Sequence, residues 1–471
     1  MRIRRSIIGL VLAFITFSIF LGCDNSNIPY VYPEDEPEQE FKVTFVTNGG
    51  SPVPAQQTVS WDNKVTMPPF ITKDGFGFIG WYKEAGYTNL WNFAIDTVTS
   101  DITLHARWVV PVNVPGASLI DKLTWLISNA QSDSYYVVEV DANESIGPQS
   151  ISYPGRKNVN VFLKGFGSVP IIISLSANGS MFTIESGVTL ILDDMLELRG
   201  RSSNTNSLIL VNSGATLILN NGTKITGNTA SFFFSWYDDA AGGGGVGIYN
   251  GTFTMNGGEI SDNTTLVYGG GGVGIYNGTF TMNGGKISGN TSPDNPYGYF
   301  GGGSGVRIGG GTFTMNEGEI SGNTSDNGSG VYCYVGTFNM NSGVISGNTA
   351  SSYGGGVSSV TGGIFTMKGG VISGNTAGYY GGGVYVERSV FNKIGGTIFG
   401  YSLGDSNSNA VKIGGVVQPN TRGHAIHVSY DISYDPPLLC IMGKDTTSGP
   451  GYNLSFNGST NPPTWSGDWD Y

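Results

Sequence analysis

Charge is the first thing this chain lacks. Asp, Glu, Lys and Arg make up only 12% of its 471 residues, about half the ~25% of an ordinary soluble domain. That sparsity excludes a coiled coil or a long solvated helix. The net charge is −12, so little is available to neutralise phosphates, and nucleic acid is excluded as a partner. Cysteine and histidine number three each. Cys333 and Cys440 follow no framework spacing and read as buried free thiols, with pairing left open. His424 and His427 have no third ligand beside them, too little for a metal site. The glycine runs lack the Lys-Ser/Thr of a phosphate-binding loop and the interleaved Asp of calcium-binding glycine repeats. No cofactor is expected. Proline is too rare, and glycine too irregular, for collagen. With 39% of residues hydrophobic, disorder is excluded too.

What the chain has instead is glycine, 75 residues of it. The excess is concentrated: residues 242 to 400 hold 47 glycines and only 12 charged side chains. An all-β chain with many tight turns remains, long enough for two or three domains.

The N-terminus reads as an address. Arg2, Arg4 and Arg5 precede an apolar run from Ile7 to Leu21, which Gly22 and Cys23 follow. A basic start, a short apolar stretch and a small residue before the cut describe an export signal over 1–22. The run is shorter than the ~20 residues that span a bilayer. Gly22-Cys23 resembles the lipobox of bacterial lipoproteins, which implies lipidation of Cys23 and a membrane anchor on the cell envelope. Phe20 departs from that pattern, and an ordinary cleaved signal is the alternative. Residues 23–40 carry three prolines and the acidic run Glu34, Asp35, Glu36, Glu38 and Glu40, a polar tether.

Residues 41–109 read as a small β domain. Strands are expected from Phe41, at Gln57 to Ser60, Phe76 to Tyr82 and Ile102 to Trp108, with Asn48-Gly49 and Asp74-Gly75 as turns. Trp81, Trp91, Phe93 and Trp108 supply the large buried side chains that so small a domain needs. The string Val43-Thr44-Phe45, Asn48-Gly49-Gly50, Gly80-Trp81-Tyr82, Trp91-Asn92-Phe93 and Ala106-Arg107-Trp108 resembles the internalin-type B-repeat. That resemblance implies a β-grasp-like module of bacterial surface proteins, with a spacer or binding role.

After a proline linker, Ser118 opens a helical pattern with Leu119, Ile120, Leu123, Leu126, Ile127 and Ala130 on one face. Ser118 and Asp121 approximate a capping box. The helix, placed at 116–134, would cap the open end of a solenoid.

The solenoid occupies 135–424. Gly251-Thr-Phe-Thr-Met-Asn-Gly-Gly-Glu-Ile-Ser-Asp-Asn263-Thr recurs four more times, and Phe253, Phe280, Phe313, Phe338 and Phe365 mark the coils. A period in the twenties to thirties signals a repeat architecture. Three short strands per coil, with no room for a helix, predict a parallel β-helix of about ten coils, stacked ~4.8 Å apart. Val246, Ile248, Phe253, Met255 and Ile260 are expected to point inward. Asn228, Asn263, Asn290, Asn323, Asn348 and Asn375 each precede threonine at one corner, where stacked asparagines hydrogen-bond along a ladder. Lys224, Glu259, Lys286 and Glu319 would alternate in sign up one face. The Phe-x-x-Asn and Gly-Gly-Val elements resemble the repeat of polymorphic outer-membrane proteins. This implies a pectin-lyase-like, right-handed parallel β-helix with an adhesin-like role. Residues 425–471 read as a C-terminal cap and tail.

Function is sought in the turn after each Asn-Thr, the most variable in length. It carries Phe233, Trp236, Tyr237, Asp238 and Asp239 in one coil, Tyr297, Tyr299 and Phe300 in another, and Tyr268, Tyr353, Tyr379 and Tyr380 elsewhere. Insertions on one face of a solenoid often mark a binding face. The aromatic row either engages a host or neighbouring-cell protein or glycan, or packs on itself and shields the coil edges. No catalytic residues are assigned. Asp193-Asp194 and Asp238-Asp239 are the only adjacent acidic pairs of the solenoid, and both read as solvated turns. The alternatives to an adhesin are a polysaccharide lyase or hydrolase, and a passive coat protein.

Overall fold

The computed structural model describes residues 39–93, 96–231, 242–266, 269–292, 302–401, 405–418, 425–429 and 441–443. The signal segment with Cys23, most of the tether, Cys440 and His424 lie outside the described residues.

The small domain is a four-stranded mixed sheet: β1 (Glu40–Val46), β2 (Gln57–Ser60), β3 (Gly77–Tyr82) and β4 (Ile102–Val109), in the order β2-β1-β4-β3. The central pair β1 and β4 is parallel, and both outer strands are antiparallel to it. Trp81 and Trp91 are buried among Val43, Phe45 and Leu104, and Phe93 and Trp108 pack on that cluster half-buried. Phe45 meets Trp81 edge-on at 5.0 Å, the favoured geometry for ring quadrupoles.

The helix α1 (Leu119–Asn129) closes the first coil. Its capping box is complete: Asp121 N donates to Ser118 Oγ, and Ser118 N donates to the Asp121 carboxylate. The Glu144 carboxylate, from the first coil, accepts from Leu119 N at 2.8 and 3.0 Å, which places negative charge on the helix N-terminus. The buried stripe is Leu119, Leu123, Leu126 and Ala130. Ile120 and Ile127, expected on that face, are exposed, because steps of one residue from the 119/123/126 stripe rotate them about 100° away.

The rest is a parallel β-solenoid of about ten coils. Its faces are a phenylalanine face of twelve strands, an isoleucine face of ten and a valine face of ten. A fourth ladder of eight short strands, not foreseen from the repeat, follows the asparagine corner. It arises because Ala230, Thr265, Ser292, Ser325, Ala350 and Ala377 turn inward there and are buried, too short a run to show periodicity. Val246, Ile248, Phe253, Met255 and Ile260 all point into the core. Phe253, Phe280, Phe313, Phe338, Phe365 and Phe391 stack nearly parallel at 4.6–5.0 Å.

The corner column explains much of the glycine. The residue before each ladder asparagine has a left-handed backbone: Gly227, Asp262, Gly289, Gly322, Gly347 and Gly374, with φ between 57° and 69°. Glycine adopts this without steric cost, and Asp is among the few residues that tolerate it. Beside the column, Lys224, Glu259, Lys286 and Glu319 face one another in register. Ion pairs form at 3.3 Å (Lys224–Glu259) and 3.0 Å (Lys286–Glu319). These half-exposed pairs contribute only ~0.2–1 kcal/mol each.

The small domain lies against the solenoid. Ile79, Tyr82, Tyr87 and Val109 pack on Tyr135, Val137, Phe162, Ile191 and Ile218, the outer side of the phenylalanine face. Arg107 pairs with Asp133 at 3.5 Å and donates to the Tyr82 hydroxyl at 3.2 Å, and Asn158 Nδ2 donates to both Tyr82 and Asp133. The outward column is patterned for this. It reads Val137, Phe162, Ile191, Ile218 beneath the domain, then Thr254, Thr281 and Thr314 beyond it. Gly77 sits on the Tyr135 ring, where a Cβ would lie 2.2 Å from Cγ. Gly77→Leu is therefore expected to wedge the domain off, at about 1–3 kcal/mol of overpacking. Limited proteolysis within residues 110–117 reads this out, and cleavage at the wild-type rate would show that Gly77 does not govern docking.

Candidate functional site

Two asparagine ladders run the length of the repeat. In the inner one, each Oδ1 accepts from the preceding coil's backbone N–H and Nδ2, from Asn263 through Asn290, Asn323, Asn348 and Asn375 to Asn409. Each Nδ2 also donates to the isoleucine carbonyl of the coil before it, Asn290 to Ile260 for instance. Asn228 joins through its backbone N–H, and Asn204 donates to Asn228 Oδ1. All eight side chains are 0% exposed. Asn204 and Asn409 escaped the sequence reading: Asn409 precedes alanine rather than threonine, and Asn204 stands before the regular repeat. The outer ladder, Asn220, Asn256, Asn283, Asn316 and Asn341, is linked by Nδ2–Oδ1 bonds of 2.8–3.0 Å. The inner ladder is fully buried and holds the scaffold.

Ligand chemistry therefore belongs to the outer faces. Of the predicted aromatic turn residues, Phe233, Trp236, Tyr237, Asp238, Asp239, Tyr268, Tyr297, Tyr299 and Phe300 lie outside the described residues. Tyr353, Tyr379 and Tyr380 are described, and the fold gathers them with residues that the turn pattern did not reveal. On the valine face, alternate positions point outward, and register aligns Arg307, Tyr332, Ser358, Tyr385 and His427 in one row. Tyr334 and Glu387 belong to the next row. The strand alternation in Val331-Tyr-Cys-Tyr334 and Val384-Tyr-Val-Glu387 was the available signal, since every second residue faces out.

The turn tyrosines fold over this row. Tyr353 stacks on Tyr385 at 4.9 Å and runs parallel to Tyr380 at 6.0 Å. Tyr380 stacks on His427 at 4.3 Å, and Tyr385 lies parallel to His427 at 5.8 Å. Tyr332 and Tyr385 are buried, Tyr334, Tyr353, Tyr380 and His427 half-buried, and Tyr379 is exposed. The Arg307 guanidinium lies over the Tyr332 and Tyr334 rings at 5.8 and 6.0 Å. Carboxylates flank the patch: Glu387 accepts from the Tyr385 hydroxyl at 3.1 Å, and Asp326 accepts from Ser351 and Ser352. Burial raises the Tyr353 and Tyr332 phenols above their ordinary pKa, so they are neutral donors at physiological pH. The result is a ridge of stacked rings in which the Tyr332 hydroxyl is buried and the Tyr385 hydroxyl is held by Glu387, while Tyr334, Tyr353, Tyr379, Tyr380 and His427 stay partly open to solvent.

The remaining candidates are structural in their surroundings. Asp193 ends a phenylalanine-face strand beside Lys164, which pairs with Glu139 at 2.8 Å. Burial raises its carboxyl, against hydrogen bonds from Asp194 and Asn220. Cys333 faces the core as a free thiol, pushed up to about 12 by burial, hence protonated and unreactive. Among the described residues, no group of three or more His, Cys, Asp or Glu is placed to hold a metal ion, and no helix is long and apolar enough to cross a membrane.

Comparison with known proteins adds one domain. Residues 41–107 match the family model of the Listeria-Bacteroides repeat domain. Two proteins of Evansella cellulosilytica are similar over that order of length. One, provisionally named a Gly-rich membrane protein, is 38% identical over 73 residues, which is 16% of this chain and 8% of the relative. The other, provisionally named a membrane protein, is 36% identical over 72 residues, 15% of this chain and 11% of the relative. This chain thus spans about a tenth of the length of the curated relatives it matches. The small sheet at residues 41–107 is a Listeria-Bacteroides repeat domain, docked on a parallel β-solenoid.

Proposed function

We propose that the protein is displayed on the bacterial cell envelope, anchored by lipid at Cys23, and binds a protein or glycan of a host or neighbouring cell. The reading is one of adhesion rather than turnover. Its single carrying observation is the tyrosine–histidine ridge of the valine face, Tyr334, Tyr353, Tyr379, Tyr380, Tyr385 and His427. Tyrosine-rich surfaces provide rigid amphipathic contact area at low entropic cost, and they dominate binding energy where they occur. The membrane-protein names of the relatives that share a similar stretch support an envelope location. The resemblance of the solenoid repeat to polymorphic outer-membrane proteins supports the adhesin role.

The test is binding of the purified protein to arrays of matrix proteins and glycans, with the Tyr353→Ala/Tyr380→Ala double variant beside it. The expected result is a specific ligand whose affinity falls about 30-fold in the variant, the worth of a ~2 kcal/mol hot spot. Absence of any ligand, or equal affinity in the variant, would leave the ridge a structural seam and favour a passive coat.

A further inference from the structure

The tyrosine ridge of the valine face also carries a sign of charge, and that sign narrows its partner. Two half-buried carboxylates border the rings, Asp326 on the fourth ladder and Glu387 at the end of a valine-face strand. Asp326 Oδ1 accepts from the Ser351 and Ser352 hydroxyls, Asp326 Oδ2 accepts from Asn327 Nδ2, and Glu387 accepts from the Tyr385 hydroxyl. None of these donors is a cation. Among the described residues, neither carboxylate has an ion-pair partner. Elsewhere on the solenoid Glu139, Glu197, Glu259 and Glu319 each pair with a Lys or Arg.

Both charges act where the ridge meets solvent. Burial raises the Tyr353 phenol, and Tyr380, Glu387, Tyr379 and Asp326 add to the rise, so both carboxylates lie within electrostatic reach of one hydroxyl. Beside it, Tyr379 is 48% exposed. Arg307, whose guanidinium lies over the Tyr332 and Tyr334 rings, shows how this surface seats that group. It stands three coils from Glu387 in register. That is about 14 Å along the axis, beyond the ~8 Å screening length at physiological salt.

A neutral sugar is held on an open ring face, and Tyr353, Tyr380, Tyr385 and His427 turn their faces to one another. An anion would meet two carboxylates. A cation meets those carboxylates, a neutral phenol oxygen that accepts, and the exposed Tyr379 ring. Lysine brings a compact, strongly hydrated charge, whereas the arginine guanidinium is planar, weakly hydrated, carries five donors in a fixed fork and stacks on rings. We propose that the ridge docks an arginine-bearing segment of a protein partner, its guanidinium groups stacked against Tyr379 and donating toward Asp326 and Glu387. This rests on the ridge being the binding face and names the chemistry that it takes.

The probes are labelled peptides of one sequence bearing arginine, lysine or neutral citrulline at the same positions, followed by fluorescence anisotropy with the full chain. The arginine peptide should bind about tenfold more tightly than the lysine peptide, and the citrulline peptide should not bind. Asp326→Asn/Glu387→Gln keeps an acceptor for Ser351, Ser352 and the Tyr385 hydroxyl. It should weaken the arginine peptide about tenfold and leave the unfolding temperature in place. Asp262→Asn/Glu317→Gln removes the same charge from exposed corners and should change nothing. Equal losses in the two double variants would mean attraction to a negative chain at large, and would overturn the proposal. So would equal binding of the citrulline peptide, or preference for a chitosan oligomer over the arginine peptide. An array ligand that needs Tyr353 and Tyr380 but ignores Asp326→Asn/Glu387→Gln would sink the arginine partner and leave the binding ridge standing.

Discussion

Asn323→Ala is expected to be among the most destabilising single changes in this protein, at about 2–6 kcal/mol, from the ~1–3 kcal/mol cost of each of two buried donors left unpaired. Asn323 Oδ1 accepts from both the backbone N–H and the Nδ2 of Asn290 at 3.0 Å. Its own Nδ2 donates to Ile287 O and to Asn348 Oδ1. Truncation removes all four bonds at a site with no exposure to water, and Asn290 loses two donors' partners at once. The internal control is Asn316, which belongs to the outer ladder and is only half-buried. There water replaces the lost partner, and Asn316→Ala should cost about 1 kcal/mol. Chemical denaturation of the two variants side by side decides the matter, and equal costs would refute the role given to burial.

Phe313→Ala should be comparably severe. The ring is fully buried and stacks between Phe280 at 4.7 Å and Phe338 at 5.0 Å. Cavity formation costs about 3–5 kcal/mol, and each lost ring pair adds roughly 0.5–1.5 kcal/mol. In a solenoid each coil contacts only its neighbours, so the damage should be local before it is global. Hydrogen exchange should accelerate first in the coils holding Phe280, Phe313 and Phe338, while the small domain around Trp81 keeps its protection. Uniform acceleration across the chain would mean that the coils do not unfold as neighbours.

How much of this was legible follows from how each feature is encoded. The coil, its inward Val, Ile, Phe and Met columns and the alternating Lys224–Glu259–Lys286–Glu319 row are each repeated at a spacing of 25 to 35 residues. A solenoid's contacts join equivalent positions of adjacent repeats, so a visible period is already a contact list. The capping helix was legible from Ser118 and Asp121, but its buried stripe was drawn too wide, because Ile120 and Ile127 are apolar without being covered. The valine-face row was missed for the opposite reason. Its outward positions are Gly247 and Gly274 in the early coils and become Arg307, Tyr332, Ser358 and Tyr385 only later, so no repeat announces them.

The chain by itself determined that it is all-β, that a small aromatic-rich sheet precedes a glycine-cornered solenoid, and that scarce charge leaves the faces to hydroxyl and aromatic groups. These are properties of local pattern and period. Only the tertiary structure decided that the small domain lies along the phenylalanine face, and that Tyr353 and Tyr380 stack on Tyr385 and His427. The physical reason is the same in each case: the contacts join surfaces that do not repeat, and complementarity between unlike surfaces leaves no periodic trace in the chain.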